Sequence, residues 1–345
     1  MILQSKNGKG WGRFGIITAL MIIFLIALLS CVEEPDDLMP WQHSDEWTRI
    51  SASGGQVGPC VYSIMEDRNG NMWFGTNNGV TRLSENGTLT RFGQQEGILG
   101  THVYAIIEAA DGTFYMGTNQ GFTISSGETV SNIETLLDTK FEVLDIIQDS
   151  RKNIWLATDL FGAIFLSAED GELYQPNYSE CPGCYYANSV FEDSKNNIWI
   201  GSMGGALKYD YNSLKIYSAA NGLSSNAVQS IAEDRWGDIW IGPRGGKDLG
   251  RFNGSSIELV TMLTDYDTDY VMDIMLDKSG DLWFGLVSAG AVKYNGSFMR
   301  QYVESDGLTD PSVMSLYTDS KGNIWLGSLS SGVFKFSPGI KSKHE

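Results

Sequence analysis

The chain has 345 residues, of which 42% are hydrophobic and 12% aromatic, so it can form a core and bulk disorder is excluded. Forty glycines against eight prolines, together with ten tryptophans and fifteen tyrosines, favour an all-β fold with many tight turns. The formal net charge of −18 opposes binding to nucleic-acid phosphates and to anionic membrane surfaces, so we expect neither as a partner.

The N-terminal segment has the pattern of a secretory signal peptide. Three basic residues, the last of them Arg13, precede an apolar run from Phe14 to Leu29. This run is shorter than the ~20 residues that a membrane span needs. Residues 1–30 contain no acid, so their removal would leave 21 basic against 42 acidic residues.

The sequence around Cys31 resembles a bacterial lipobox, Leu28-Leu29-Ser30-Cys31, in which cleavage precedes the cysteine and acyl chains are attached to it. The acidic stretch Val32–Asp37 is similar to the surface-export signal of Bacteroidetes lipoproteins, or is a solvated linker. These resemblances imply an outer-membrane lipoprotein of the cell envelope, tethered by residues 31–44 and held at the membrane through its lipid alone. The sequence is compatible with a location on the periplasmic side of the outer membrane and with one on the cell surface.

The other cysteines are Cys60, Cys181 and Cys184. Cys181-Pro-Gly-Cys184 has redox-motif spacing, but it lies in a loop and not at the start of a helix. In an oxidising compartment we expect Cys181 and Cys184 to form a structural disulfide, with thiol exchange as the alternative. A zinc site would need further cysteine or histidine ligands nearby, so no metal is predicted.

A unit of about 42 residues recurs seven times. Its aromatic residue returns at spacings of 42, 40, 44, 41, 43 and 42 residues, at Trp73, Tyr115, Trp155, Trp199, Trp240, Trp283 and Trp325. An aspartate precedes the aromatic by six residues except at Ala109, and a glycine follows by two except at Ala157. A residue at fixed register in every repeat packs between repeats, so the aromatics are predicted core residues and the aspartates turn formers.

Each unit contains four predicted strands separated by Asp-x-x-Gly and other glycine turns, which is the pattern of one propeller blade. The fold class is therefore an all-β, seven-bladed β-propeller over residues 45–338, with four antiparallel strands per blade. The seventh unit ends at Phe336 without a fourth strand. Trp47–Ile50 resembles the fourth strand Leu89–Phe92, so we predict that it completes the last blade and closes the ring. Residues 339–345 form a tail.

The unit resembles the two-component-regulator propeller repeat, Ile-x-x-Asp-x-x-Gly-x-hydrophobic-Trp-hydrophobic-Gly, from about residue 45 to residue 338. Glu96-Gly97-Ile98, Asn221-Gly222-Leu223 and Asp306-Gly307-Leu308 match the Asp-Gly-Leu that opens many such repeats. In that family the propellers often form periplasmic sensors of hybrid histidine kinases, and their ligands are commonly glycans. This chain has no kinase, receiver or second propeller, so the resemblance implies ligand recognition without signalling chemistry of its own.

Ligand contacts are expected in the loops into the inner strands and in the turns between second and third strands. The predicted ligand-binding residues are His102, Asp159, Phe161, Tyr186, Arg244, Lys247, Asp248 and Tyr270. Aromatic faces beside amides and basic groups are typical of sugar-binding surfaces. The predicted partner is a small-molecule or glycan ligand, or an envelope protein for which the chain is a scaffold. We expect a monomer.

An enzyme is the other alternative. The repeats are similar to those of streptogramin lyases, whose chemistry relies on histidine with acidic groups and a divalent metal. The sequence has three histidines, and His43 and His344 lie outside the repeats, so His102 alone cannot supply that arrangement. No Gly-x-Ser-x-Gly elbow or phosphate-binding loop occurs. We therefore predict no catalytic residues.

A calcium loop is suggested by the acidic stretch Asp265–Asp269. Tyr270 stands where such a loop has glycine, and Leu276 stands where it has glutamate. No cofactor is therefore predicted, and calcium stays an alternative.

Overall fold

The structure is a computed structural model that describes residues 47–52, 55–127, 129–136, 138–245, 248–261 and 270–338. Outside these ranges lie the predicted signal peptide, Cys31 and its tether, Lys247, the stretch Asp265–Asp269 and the tail 339–345, so these assignments stay predictions. Within the described ranges, the structure contains no helix with the length and apolar character of a membrane span.

Seven four-stranded antiparallel sheets are formed by the described residues, which confirms the predicted seven-bladed β-propeller. The first, innermost strand of each blade contacts the first strand of the next. These inner strands are β4 (Val61–Glu66), β8 (Val103–Glu108), β14 (Val143–Gln148), β18 (Ala187–Glu192), β22 (Val228–Glu233), β26 (Val271–Leu276) and β30 (Val313–Thr318). The second strands, which carry the repeated aromatics, are β5 (Met72–Thr76), β9 (Phe114–Thr118), β15 (Ile154–Thr158), β19 (Ile198–Ser202), β23 (Ile239–Pro243), β27 (Leu282–Leu286) and β31 (Ile324–Ser328).

The outer half of each blade is a hairpin of the third and fourth strands. The third strands are β6 (Gly79–Leu83), β10 (Gly121–Ser126), β16 (Gly162–Leu166), β20 (Gly205–Tyr209), β24 (Asp248–Phe252), β28 (Gly290–Tyr294) and β32 (Val333–Phe336). The fourth strands are β7 (Leu89–Phe92), β11 (Thr129–Ile133), β17 (Leu173–Tyr174), β21 (Leu214–Tyr217), β25 (Ile257–Thr261), β29 (Met299–Tyr302) and, in the last blade, β1 (Thr48–Arg49). Two small hairpins pair β2 (Ser51–Ala52) with β3 (Gly55–Gln56) and β12 (Thr135–Leu136) with β13 (Thr139–Lys140). Single 3₁₀ turns span Gln94–Glu96, Pro182–Tyr185, Ala219–Asn221 and Glu304–Asp306.

The N-terminal strand closes the ring as predicted. Thr48 pairs with Lys335 and Arg49 with Phe334, so β1 is the outer strand of a blade whose other strands end the propeller. Trp47, just before β1, is 4% exposed and meets the rings of Trp283, Tyr302 and Phe336 at 5.4–6.0 Å. The first and last parts of the propeller are thus joined by both a strand ladder and a buried aromatic cluster.

The repeated aspartate and tryptophan are hydrogen-bonded to each other in six blades. The indole Nε1 donates to the aspartate Oδ2 at 2.8 Å in each of them. The other carboxylate oxygen accepts backbone N–H groups of the turn, as Asp193 does from Lys195 and Asn197 at 2.9 and 2.8 Å. The second blade has Ala109 and Tyr115 in these places, so the blade without the carboxylate is also the blade without the indole.

Neighbouring blades come close because small residues stand at their contact. A Cβ on Gly117 would lie 2.7 Å from the backbone oxygen of Val143 in the next inner strand. Opposite this glycine position each inner strand carries a small or acidic residue: Ser63, Ala105, Asp145, Ser189, Ser230, Asp273 and Ser315. Ser230 donates to the Val271 backbone oxygen of the next blade at 2.9 Å, which links adjacent inner strands.

Asp145 and Asp273 also link adjacent inner strands, but their carboxylates accept a hydrogen bond from the next blade, whereas the Ser230 hydroxyl donates one. Asp145 accepts the backbone N–H of Val190 at 2.9 Å, and Asp273 accepts that of Leu316 at 2.7 Å. Burial raises the pKa of Asp145 to about 6 and that of Asp273 to about 7, and the Asp145 charge adds to the second shift. Both carboxyl groups are therefore more easily protonated than exposed aspartates.

We expect Asp193→Ala to lower the free energy of unfolding by about 2–4 kcal/mol, because the buried Trp199 indole and two turn amides would lose their acceptor. The control is Asp111→Ala, since exposed Asp111 accepts the Thr113 amide in the blade that has no tryptophan. Its cost should stay below about 1 kcal/mol. Urea unfolding measures both, and equal losses would contradict the role of the indole bond.

The raised pKa values of Asp145 and Asp273 predict a pH-dependent stability. A carboxyl group whose pKa is higher in the folded than in the unfolded state contributes its full stability below about pH 4. That contribution is lost as the pH rises through the folded values of about 6 and about 7. Asp273→Asn should therefore be more stable than the parent chain at about pH 8, by roughly 2–4 kcal/mol, and similar to it only near pH 4 or below. Urea unfolding across this range tests the prediction, and an unchanged pH slope in the variant would refute it.

Candidate functional site

A central cavity of about 590 Å³ lies where the seven inner strands meet. Each blade contributes consecutive inner-strand residues to its wall. Glu142, Tyr186 and Tyr270 immediately precede inner strands, and Arg244 follows a second strand; these four residues also line the cavity. We call them the channel mouth. The volume is in the range of small-ligand sites.

A β-bulge in every inner strand determines which side chains line the cavity. The register with the second strand shifts after the first residue of each inner strand, which leaves one extra residue there. Such bulges re-aim side chains. The extra residues all line the cavity: Tyr62, Tyr104, Leu144, Asn188, Gln229, Met272 and Met314. They comprise five residue types in the seven blades, so this ring gives the cavity its chemical character.

One side of the channel mouth is cationic. Arg244 donates from Nη1 to Asn188 Oδ1 at 3.1 Å, and its guanidinium lies 5.8 Å from the ring centroid of Tyr186. Its backbone bridges to Tyr270 and donates to the Ala227 backbone oxygen at 2.8 Å. No carboxylate pairs with Arg244 within the described ranges, so its remaining N–H groups are available to a ligand.

The other side of the channel mouth is acidic. The backbone N–H of Glu142 donates to Asp159 Oδ1 at 2.8 Å. Burial and the charge of Asp159 raise the pKa of Glu142, although a Tyr104 hydrogen bond and His102 oppose the rise. Burial, followed by the charge and hydrogen bond of Glu142, raises the pKa of Tyr104 to about 12. Glu142 and Tyr104 are therefore a coupled pair beside the cavity, and the pKa values of both groups are raised.

Three rings join the acidic side to the first blade. Tyr62 meets Tyr104 edge-on at 5.1 Å between centroids, and His102 lies 6.0 and 6.1 Å from these two rings. His102 Nδ1 is hydrogen-bonded to Thr101 Oγ1 at 2.9 Å. Across the cavity the exposed ring of Tyr270 is a further aromatic face. The polar groups are therefore bordered by flat apolar surfaces.

A disulfide lies in the loop that directly precedes Tyr186. Cys181 and Cys184 are bonded, with Cα atoms 5.4 Å apart, in the 3₁₀ turn Pro182–Tyr185. Both sulfur-bearing residues are buried in the core of the third and fourth blades. The pair thus fixes the chain just before the channel mouth.

The predicted ligand-binding residues are only partly brought together. Tyr186, Arg244 and Tyr270 line the cavity, while His102 and Asp159 contact its acidic side. The other two described members lie elsewhere. Phe161 packs edge-on against Phe141 at 5.7 Å, and Asp248 accepts a hydrogen bond from Thr261 at 2.6 Å. In the described part of the chain, no three histidine, cysteine or acidic side chains are grouped to hold a metal ion.

The bulge residues and Glu142 line the cavity but were not among the ligand-binding residues predicted from the sequence. Tyr62, Tyr104 and Asn188 stand one place beyond the first inner-strand residue, where strict alternation does not indicate a cavity-facing side chain. A usable signal was present, because this place has five residue types in seven units, while the glycine two residues after the aromatic and the aliphatic residue nine before it are nearly constant.

Comparison with known proteins agrees with the repeat and the fold. The family model described as Two component regulator propeller matches residues 55–78, 222–245 and 307–330, and no curated protein sequence matches the chain. The chain resembles the extracellular domain of BT3049 of B. thetaiotaomicron, described as a hybrid two component system, with a TM-score of 0.74 and 20% identity over 86% of this chain and 41% of that one. The chain therefore spans about two fifths of that domain.

Two further structures share the fold. A virginiamycin B lyase from Staphylococcus aureus has a TM-score of 0.69 and 15% identity over 85% of this chain and 99% of that one. PorZ, a surface component of the type-IX secretion system of Porphyromonas gingivalis, has a TM-score of 0.66 and 15% identity over 85% and 48%. At such identities the likeness shows the fold alone. Together with the three matches to the two component regulator propeller model, this likeness agrees with the seven-bladed propeller that the described residues form.

Proposed function

We propose that this propeller is a recognition module of the cell envelope that binds a small ligand, such as a glycan, at the channel mouth. The observation that carries the proposal is the convergence of Tyr186, Arg244 and Tyr270, from three different blades, on one cavity that Glu142 of a fourth blade also lines. Residues that only stabilise blades recur at fixed register. At the place before the inner strand, tyrosine stands in only two of the seven units, and the Arg244 place has arginine in one. A ligand is therefore the simplest reason for their convergence.

The chemistry of the channel mouth suits a hydroxyl-rich ring. Tyr186 and Tyr270 offer flat faces on which the apolar side of a sugar can pack. Arg244 and Asn188 present donors and an amide, and Glu142 is an acceptor on the far side. A ligand that fills about 590 Å³ would thus meet directional hydrogen bonds on two sides.

The envelope location is supported by two kinds of evidence. The basic start, the apolar run to Leu29 and the lipobox-like Cys31 predict export and lipidation. The BT3049 relative is described as an extracellular domain, and PorZ as a surface component. The high negative charge favours solubility at a cell exterior.

Two other functions compete for the same surface. A scaffold for an envelope protein is suggested by the fold shared with PorZ, a secretion-system component. Acid–base catalysis is suggested by the raised pKa of Glu142 beside Tyr104 and His102, and by the lyase fold. Neither explains Arg244, Tyr186 and Asn188 together, whereas ligand binding does.

We expect Arg244→Ala to weaken binding to an array of neutral and acidic oligosaccharides at least about tenfold, because the guanidinium is the main cation of the channel mouth. The matched control is Lys215→Ala, because Lys215 also lies over a tyrosine, Tyr217, at 5.0 Å but stands on an outer strand. Binding by the control should equal that of the parent chain.

The outcomes separate the three functions. Equal loss in both variants, or no binding by the parent chain, would contradict glycan recognition at the channel mouth. Retention of an envelope protein by a chain that binds no oligosaccharide would favour the scaffold. Bond cleavage in a bound oligosaccharide that His102→Ala and Glu142→Gln abolish would favour the enzyme.

A further inference from the structure

A second cavity, of about 480 Å³, lies between the first and second blades and shares no lining residue with the central one. Its apolar walls come from Trp73 and Phe92 of the first blade and from Phe114, Met116 and Val130 of the second. We call this cavity the rim cleft, because third- and fourth-strand residues form much of it.

The rim cleft results from one substitution in the repeat pattern. In each blade a third-strand residue pairs with the residue before the aromatic, and these third-strand residues are Leu83, Ser125, Leu166, Tyr209, Phe252, Tyr294 and Phe336. Four of the aromatic ones contact the tryptophan of the preceding blade at 5.4–5.9 Å. In the second blade the residue is Ser125, and the ring of that blade that contacts Trp73 is instead Phe114, the strand partner of Ser125, at 4.9 Å. Trp73 is 9% exposed, the largest value among the repeated tryptophans.

The cleft also contains a cation without an acidic partner. The Arg82 guanidinium lies 5.6 Å from the centroids of both Trp73 and Phe92. Its Nε is buried and has no hydrogen-bond partner among the residues that the structure describes. An uncompensated donor beside aromatic faces is a binding feature for an anion.

In two other blades, the cation at the corresponding place is neutralised. Arg251 donates to Asp238 at 2.8 Å, and Lys293 Nζ lies 2.9 Å from Asp281; both aspartates stand two residues before a tryptophan. The first blade has Asn71 at that place, and its amide donates to the Asp67 carboxylate at 2.8 Å. Among the described residues, Arg82 therefore lacks the counter-charge that Arg251 and Lys293 have. It shares this lack with Lys208 and Lys335, whose blades have asparagine at the same place.

The remaining charges of the rim cleft have partners of their own. Arg68 forms an ion pair with Glu108, and Glu96 accepts the backbone N–H of Gly93 at 2.7 Å. The Gly93 N–H leaves the Glu96 carboxylate charged. The lining thus combines apolar rings with the Arg68–Glu108 ion pair, the Glu96 carboxylate and the Arg82 guanidinium, which has no acidic partner among the described residues. Such a pocket is complementary to a carboxylate that is attached to a flat apolar body.

We propose that the rim cleft is a second ligand site, which binds an aromatic carboxylate with its acid group on Arg82 and its ring in the space that Ser125 leaves open. The site is independent of the proposed function at the channel mouth. Its ligand would take the place that Tyr209, Phe252 or Tyr294 occupies between other blades.

The test is calorimetric or NMR titration of a chain that begins at Asp45, because residues 47–338 contain the whole closed ring. Phenylacetate is the probe, and neutral phenylacetamide is its matched analogue. We expect saturable binding of phenylacetate with a Kd of about 1 mM or below, and at least about tenfold weaker binding of phenylacetamide.

Three variants locate the binding. Arg82→Gln should weaken phenylacetate binding at least about tenfold. Ser125→Tyr should abolish it, because it restores the ring found in other blades. Lys208→Gln is the matched control, since Lys208 lies 5.6 Å over Trp199 at an interface that Phe252 already fills.

No saturable binding by the parent chain would overturn the proposal, as would equal affinity for phenylacetate and phenylacetamide. If Ser125→Tyr failed to fold, Arg82→Gln would still decide, because unchanged binding in that variant contradicts the site. Arg244→Ala should keep full phenylacetate binding. Loss of binding in that variant would place the probe at the channel mouth and refute the rim cleft.

Discussion

Thr48 and Arg49 pair with the last third strand, and this short ladder allows a repeat array to become a closed ring. Without it, the last blade would lack its outer strand and Trp47 would lose its contacts with Trp283, Tyr302 and Phe336. The central cavity depends on the same closure, because all seven inner strands line it and the last one contacts the first. Both candidate ligand sites therefore rest on an arrangement that residues distant in sequence complete.

Within the ring, the aspartate–indole bond keeps each buried tryptophan in one orientation, and departures from the repeat show where function can enter. The second blade lacks the aspartate, the tryptophan and the large third-strand side chain, and it borders the rim cleft. Asp145 and Asp273 replace serine at the contact between inner strands and make the central wall titratable. Variation at structural positions is thus confined to surfaces that could meet a ligand.

The sequence was sufficient to predict the seven blades, the strand order and the closure, because one unit of fixed register determines all of them. It also grouped Arg244, Tyr186 and Tyr270, which line one cavity because loops into inner strands and turns after second strands meet at one end of a propeller. Their binding role stays a prediction. It could not place Phe161 or Asp248 away from the cavity, because loop direction depends on packing beyond the repeat. The bulge residues and the rim cleft were inaccessible for a related reason: both follow from pairing registers within and between blades, which a single sequence does not reveal.

The most direct test of the closed ring is a disulfide engineered between its two ends. Thr48→Cys and Lys335→Cys lie directly opposite each other in the antiparallel pair, a geometry that brings Cα atoms within the usual disulfide range. Under mild oxidation, mass spectrometry should find this bond within single monomeric chains in high yield. Free thiols at both positions, or bonds mainly between two chains, would contradict an N-terminal strand that completes the last blade of its own ring.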